Sequence, residues 1–217
     1  MAEGDLTLDE IRERLAPLIA DCAAFDGWSD VALQHAADRA GVAPALARLA
    51  FKGGAMEMIS AWIGAIDAAM ARALPAEKLA RMKVRERIRA LVLFRLEALA
   101  GKEEALRRAQ AVMAMPRNAA RTLRLGWHSA DAMWRLAGDT ATDYNHYTKR
   151  AILGSVYAAT LAVFVGDESE GKAETHAFLD RRIEGVMKFE KAKARLLRPR
   201  DGFSPTRFLG RLRYPAR

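Results

Sequence analysis

SDVALQHAADRAGVAPALARLAFKGG, residues 29–54, is punctuated as two short helices joined by a tight turn. Ser29 can cap the first helix, Gly41-Val42 breaks the chain, Pro44 suits the first turn of the second helix, and Gly53-Gly54 ends it. Upstream, Thr7-x-x-Glu10 is a capping-box pattern opening a helix with Leu8, Ile11, Leu15, Leu18, Cys22 and Phe25 on one face. Pro17 inside that pattern is expected to kink or split it. Downstream, one apolar helix is expected over 55–74 and another over 76–100, the latter burying Val84, Ile88, Leu91, Val92, Leu96 and Leu99.

The rest of the chain keeps helical spacing. Gly101 precedes a short helix ending near Pro116, followed by one over 117–137. After Gly138-Asp139, Thr142 or Asp143 can cap a helix to Val165, and a polar loop from Gly166 to Gly171 leads into a last helix over 173–197. Ala, Leu, Arg and Glu dominate, and no stretch alternates with period two. The expected fold is all-α, a bundle of about nine helices plus a short C-terminal amphipathic helix. Its parts are a helix-turn-helix-like unit at 1–54, a helical bundle at 55–197, and a basic tail at 198–217.

Composition excludes several classes. A 51% apolar chain of 217 residues can bury a core, and the sequence suggests no uncharged apolar run long enough to span a membrane. The single Cys22 excludes a disulfide framework and a cysteine-rich zinc module. The acidic opening Met-Ala-Glu-Gly-Asp lacks the features of a secretory or organelle leader, so a cytoplasmic bacterial protein is expected.

The net charge of +8 is unevenly placed. Residues 1–71 carry 5 basic and 11 acidic side chains, 72–124 carry 14 and 5, and 125–190 carry 7 and 10. These segments cancel, and 191–217 holds 9 basic residues against Asp201 alone.

Three short helices with a Gly-Val turn, followed by a long apolar helix, resemble the outline of a TetR-type repressor, in which the second helix of the motif enters the major groove. A base-reading helix needs polar side chains, yet here only Arg48, with Lys52 just beyond, offers them, within a unit carrying excess negative charge. A helix-turn-helix shape that no longer binds DNA is expected. A ligand-responsive TetR-type transcriptional regulator is the alternative.

The stretch 131–150, DAMWRLAGDTATDYNHYTKR, resembles the signature of the Coq nine family of ubiquinone-biosynthesis proteins. The specific positions are Met133-Trp134, Ala137-Gly138-Asp139, Thr142-Asp143, Asn145, Tyr147-Thr148 and Arg150-Ala151. The likeness extends through Leu153, Tyr157, Phe178-Leu179 and Arg182, and more weakly back to Gly27-Trp28 and Phe51-Lys52-Gly53-Gly54.

The resemblance implies a TetR-like, dimeric, membrane-associated accessory protein that binds isoprenoid quinone intermediates. It also implies a surface presenting them to a hydroxylase, carried here by Met133, Asp143, His146 and Tyr147, which Arg150 joins by its helical spacing. The eukaryotic pattern has tryptophan where this chain has His146. Independently, Asp143, His146, Tyr147 and Arg150 share a helix face, with Tyr144, Ala151, Ile152, Ser155 and Ala159 opposite as packing. Such a face suits a partner hot spot or an ordinary helix start.

Leu91, Phe94, Trp127, Met133, Trp134 and Tyr157 are the candidate lipid-pocket residues, although helical spacing does not separate a pocket from a filled core. No cofactor or metal is expected beyond a bound lipid or isoprenoid quinone. Four scattered histidines, the lone Asp143-x-x-His146 and the absence of a phosphate loop or nucleophile elbow point away from an enzyme.

In the tail, Ser204 and Pro205 can start a helix presenting Phe208, Leu209 and Leu212 between Arg207, Arg211 and Arg213, with Phe203 before them. A membrane foot and a disordered basic tail both fit this pattern. The membrane reading places the protein peripherally on the inner face of the cell membrane. The expected partners are a ubiquinone-pathway hydroxylase, isoprenoid lipid, an anionic membrane surface and a second copy, with no nucleic acid. The helices at 143–165 and 173–197 would form a four-helix dimer contact.

Overall fold

The computed structural model describes residues 6–140 and 144–196. Among them every regular element is helical, as expected: ten α-helices and two short 3-10 turns. The tail residues Phe203, Arg207, Phe208, Leu209, Arg211, Leu212 and Arg213, and also Asp143, lie outside the described residues.

Helix α1 (Leu8–Asp26) begins with the capping box: the Thr7 N–H donates to the Glu10 carboxylate (2.8 Å) and the Glu10 N–H to the Thr7 hydroxyl (3.3 Å). It runs unbroken through Pro17, correcting the expected split. Pro17 and Glu13, whose carbonyl loses its helical donor, both lie on the exposed side of α1. Ile11 and Leu15 face the core, but Phe25 is 85% exposed and does not join them.

Helices α2 (Asp30–Ala40) and α3 (Pro44–Ala50) form the helix-turn-helix shape. Gly41 supplies the left-handed turn (φ 65°, ψ 33°), and buried Ala36, Ala37, Ala47 and Ala50 allow close packing against α1. The exposed face of α3 carries Leu46 and Leu49 beside Arg48.

Helix α4 (Ala55–Ala73) buries Met56, Met58, Ile59, Trp62, Ile66 and Met70. Trp28 joins the amino-terminal unit to the body: its ring lies 5.3 Å from that of Trp62, and its Nε1–H donates to the Ala105 carbonyl (3.0 Å). A Lys102–Asp21 ion pair adds a second tie.

The helix expected over 76–100 is two helices, α5 (Ala76–Leu79) and α6 (Val84–Glu97). Arg87 holds the break, donating to the Ala80 (3.1 Å) and Met82 (2.9 Å) carbonyls and to the Ala137 carbonyl 50 residues away (2.8 Å). Its reach satisfies groups that a continuous helix would have paired internally. Ile88, Leu91, Val92, Leu96 and Leu99 are buried as expected, whereas Val84 is 51% exposed.

Helices α7 (Glu103–Met113), α8 (Ala119–Leu136), α9 (Tyr144–Gly166) and α10 (Ala173–Leu196) complete the body. The buried face of α9 is Leu153, Val156, Tyr157, Thr160 and Phe164. Ala151 and Ser155, expected to pack, are exposed instead. With Lys149 and Arg150 included, α9 is long and apolar enough to cross a membrane by length and composition. Ala151–Gly166 contains no charged residue, and 33% of the most apolar window is buried, with α9 packed on α8 and α10.

Candidate functional site

The 131–150 motif folds into a lock between α8 and α9. Gly138 turns the chain with φ 85°, and a Cβ there would sit 3.1 Å from an Arg87 nitrogen, so glycine meets both a conformational and a steric demand. The Gly138 N–H donates to the Arg135 carbonyl and the Asp139 N–H to the Trp134 carbonyl, closing the end of α8.

Charge then fixes the start of α9. Arg150, with its side chain 2% exposed, donates to Asp131 (2.6 Å) and Asp139 (3.0 Å) and to the His146 carbonyl (3.1 Å). Lys149 reaches the other oxygen of Asp139 (2.7 Å) while lying 5.4 Å from the Trp134 ring centroid. The Trp134 Nε1–H donates to the Lys149 carbonyl (2.9 Å). Buried charges are tolerable only when paired and hydrogen-bonded in this way.

On its inner side the lock borders an apolar cavity of about 290 Å³. Val84 and Ile88 of α6, Trp134 of α8, Ile152, Leu153 and Val156 of α9, and Ile183, Val186 and Met187 of α10 form its walls. Its polar lining residues are Arg85, Asn145, Thr148 and Lys149. Beside it, Arg89 donates twice to Asp180 (2.6 and 3.1 Å), holding that carboxyl below its ordinary range.

On its outer side lies an aromatic cluster. The Tyr147 ring packs 5.9 Å from Trp127 and 5.1 Å, edge-on, from His146, with Trp127 and His146 6.2 Å apart. Tyr147 is 61% exposed, and Leu123, one turn before Trp127, is 75% exposed.

The six candidate pocket residues therefore occupy different environments. Trp134 borders the cavity. Leu91 and Met133 are wholly buried in the core, Phe94 is half-buried at its edge, and Tyr157 lies under the Arg95 guanidinium, 4.9 Å from its ring centroid. Trp127 belongs to the surface cluster. Of the partner-facing set, His146 and Tyr147 reach the surface, while Met133 and Arg150 are enclosed. Sequence reasoning did not single out Ile152, Ile183 or Val186 for the cavity, nor Leu123 for the cluster; helical periodicity marks apolar positions but not the gaps between them. Among the described residues, no three His, Cys, Asp or Glu side chains are grouped to hold a metal.

A helix-turn-helix-shaped head on a helical body, with an apolar pocket opening to the surface between α6, α9 and α10, is a TetR-like fold. The chain matches the crystal structure of the TetR transcriptional regulator from Nitrosomonas europaea with a TM-score of 0.65, covering 80% of this chain and 96% of that one. At 22% identity the likeness is one of fold.

Within that class, residues 119–190 match the COQ9 family, the stretch containing the lock, most of the cavity wall and the aromatic cluster. The chain is 30% identical over 186 residues to the mitochondrial ubiquinone biosynthesis protein COQ9 of Rattus norvegicus, and 29% identical over 186 residues to that of Homo sapiens. Each alignment covers 82% of this chain, with 59% and 58% of the rat and human proteins respectively, so the chain spans about three fifths of these relatives. The chain thus joins similarity to the COQ9 proteins with a TetR-like fold.

Proposed function

We propose that this chain is a non-catalytic accessory protein of ubiquinone biosynthesis that holds an isoprenoid quinone intermediate at the membrane and presents it to a hydroxylase. The relationship to the COQ9 proteins supports the pathway. The observation that carries the lipid-binding reading is the apolar cavity, whose polar lining residues are Arg85 of α6 and Asn145, Thr148 and Lys149 of α9. Its volume lies at the small end of ligand pockets, suiting a segment of a long isoprenoid rather than the whole molecule.

Trp127, His146 and Tyr147, with exposed Leu123 beside them, offer the aromatic anchors that a partner hot spot uses. Along α9, exposed Ala151, Ser155, Ala158 and Ala162 recur three or four residues apart. They give a second copy a close-packing surface for a homodimer through α9 and α10. The protein works peripherally on the inner face of the bacterial cell membrane. The rival function, a ligand-responsive transcriptional regulator, needs base-contacting groups where α3 exposes Leu46 and Leu49.

Deleting the gene tests the pathway assignment. The deletion strain should lose ubiquinone and accumulate an isoprenoid precursor lacking a ring hydroxyl, with both changes reversed by the wild-type chain. Normal ubiquinone and no accumulated precursor would contradict the assignment.

A further inference from the structure

We propose that the groove beside the apolar cavity, between α6 and α10, holds the polar head of the ligand and selects a neutral, oxygen-rich ring over an anionic one. This rests on the lipid-binding role proposed for the cavity, and adds where the head lies and which side chain reads it. The groove measures about 330 Å³ and is lined by Arg85, Glu86 and Arg89 of α6 and by Asp180, Ile183 and Glu184 of α10. Arg85 and Ile183 also line the cavity, so the two spaces meet at these side chains.

The cavity itself suits only a tail. Ile88, Leu153, Val156 and Ile183 line it and are buried, whereas Val84 and Arg85, about one turn earlier on α6, are exposed. A cavity of about 150 Å³ takes up benzene. By that measure 290 Å³ holds on the order of ten carbon atoms, roughly two isoprene units. A ring carried by such a chain must lie outside the cavity, and the groove adjoins it with hydrogen-bonding groups on both walls.

Charge in the groove selects the head. Three carboxylates, Glu86, Asp180 and Glu184, line it with two guanidinium groups, Arg85 and Arg89. Arg89 is spent on Asp180, Glu86 accepts from the Lys83 N–H (2.9 Å), and Glu184 pairs with Lys188 (2.9 Å). Arg85 has no ion-pair partner among the described residues. Arg89 chiefly holds the Asp180 carboxyl below its ordinary range, and Lys188 does so for Glu184; the nearby charge of Arg85 adds to both. The N–H donors of Arg85 are therefore the ones left for a ligand, and they call for carbonyl, methoxy or hydroxyl oxygens. A ring carboxylate or a diphosphate would also reach Arg85, but its charge would stand among three carboxylates. The other cation lining the cavity, Lys149, is spent on Asp139, so an anionic head finds no second one there.

Three ligands sharing a two-isoprene chain test the subsite: ubiquinone-2, geraniol and 3-geranyl-4-hydroxybenzoate, each titrated against the full chain by native mass spectrometry. The wild type should bind ubiquinone-2 about fivefold or more tighter than geraniol, and the benzoate more weakly than ubiquinone-2. Arg85→Ala should bring ubiquinone-2 down to the level of geraniol and leave geraniol unchanged. Glu184→Gln should strengthen the benzoate severalfold and change ubiquinone-2 little. Helical content should stay unchanged in both variants, because Arg85 and Glu184 are exposed.

Equal binding of the three ligands, or a ubiquinone-2 affinity indifferent to Arg85→Ala, would overturn the subsite and leave lipid binding by the cavity standing. Tighter binding of the benzoate than of ubiquinone-2 would overturn the selection of a neutral ring. Failure of all three to bind would instead remove the lipid-binding role, and the subsite with it.

Discussion

Arg150 and Asp139 meet at 3.0 Å with side chains only 2% and 4% exposed, pinning the start of α9 to the turn that follows α8. The pair sits between the two candidate working surfaces of the protein. Trp134, which receives one wall of the cavity, is tied through Lys149 to the same carboxylate. His146, part of the aromatic cluster, has its carbonyl held by Arg150. A change in this lock should therefore be felt both inside and outside the protein.

Replacing Arg150 by Met leaves two carboxylates short of their shared cation. Breaking a buried pair in this way costs roughly 3–5 kcal/mol, and the low end applies because Lys149 still faces Asp139 and Arg135 still pairs with Asp131. Urea unfolding should show this loss. In a double-mutant cycle, Asp139→Asn combined with Arg150→Met should cost clearly less than the two single changes added together. Strict additivity would mean that the two groups are not coupled.

Tyr147→Ala should separate binding from folding. At 61% exposure the side chain contributes little to the core, so unfolding free energy should change by only about 1 kcal/mol, from the lost ring contacts with Trp127 and His146. Affinity for the hydroxylase partner, measured by calorimetry, should fall about tenfold or more, with Trp127→Ala behaving similarly. Unchanged affinity in both variants would remove the aromatic cluster from the partner surface.

Much of this arrangement was legible in the sequence, for identifiable reasons. Thr7, Ser29, Gly41 and Pro44 act on neighbouring backbone groups, so local chemistry located the first three helices correctly. The break at 80–83 was not legible, because it depends on Arg87 reaching Ala137 across 50 residues while the hydrophobic pattern runs on uninterrupted. The cavity was hidden for a related reason. Ile183 and Val186 close it from α10, and no local pattern records which apolar residues face each other across a gap. Arg150 was read as part of a surface face from its spacing alone. The acids that draw it inward lie at 131 and 139, on the far side of the turn.

Acid should weaken the loop between α9 and α10 through Asp167. Burial pushes this carboxyl up, but the hydroxyl and backbone N–H of Ser169 and of Thr175 all donate to it and hold it well below the usual carboxylate range. Its folded value is therefore lower than its unfolded value, near 3.8. The stabilisation is complete above about pH 5 and is lost as the pH falls below 4 towards the folded value. Asp167→Asn should be less stable than wild type by roughly 1–3 kcal/mol at neutral pH. Denaturant unfolding from pH 7 to pH 3 should show that gap narrowing at the acid end; a gap independent of pH would contradict the assignment.

Whether the cavity between α6, α8, α9 and α10 holds an isoprenoid is tested most directly by filling it. Ile152 and Val156 both line the cavity, and Ile152→Trp/Val156→Trp would drive two indole rings into its 290 Å³. Native mass spectrometry after loading with an isoprenoid quinone should show bound lipid on the wild-type chain and little or none on the variant, with equal helical content in both. Equal lipid retention by the two proteins, or none on the wild type, would contradict it.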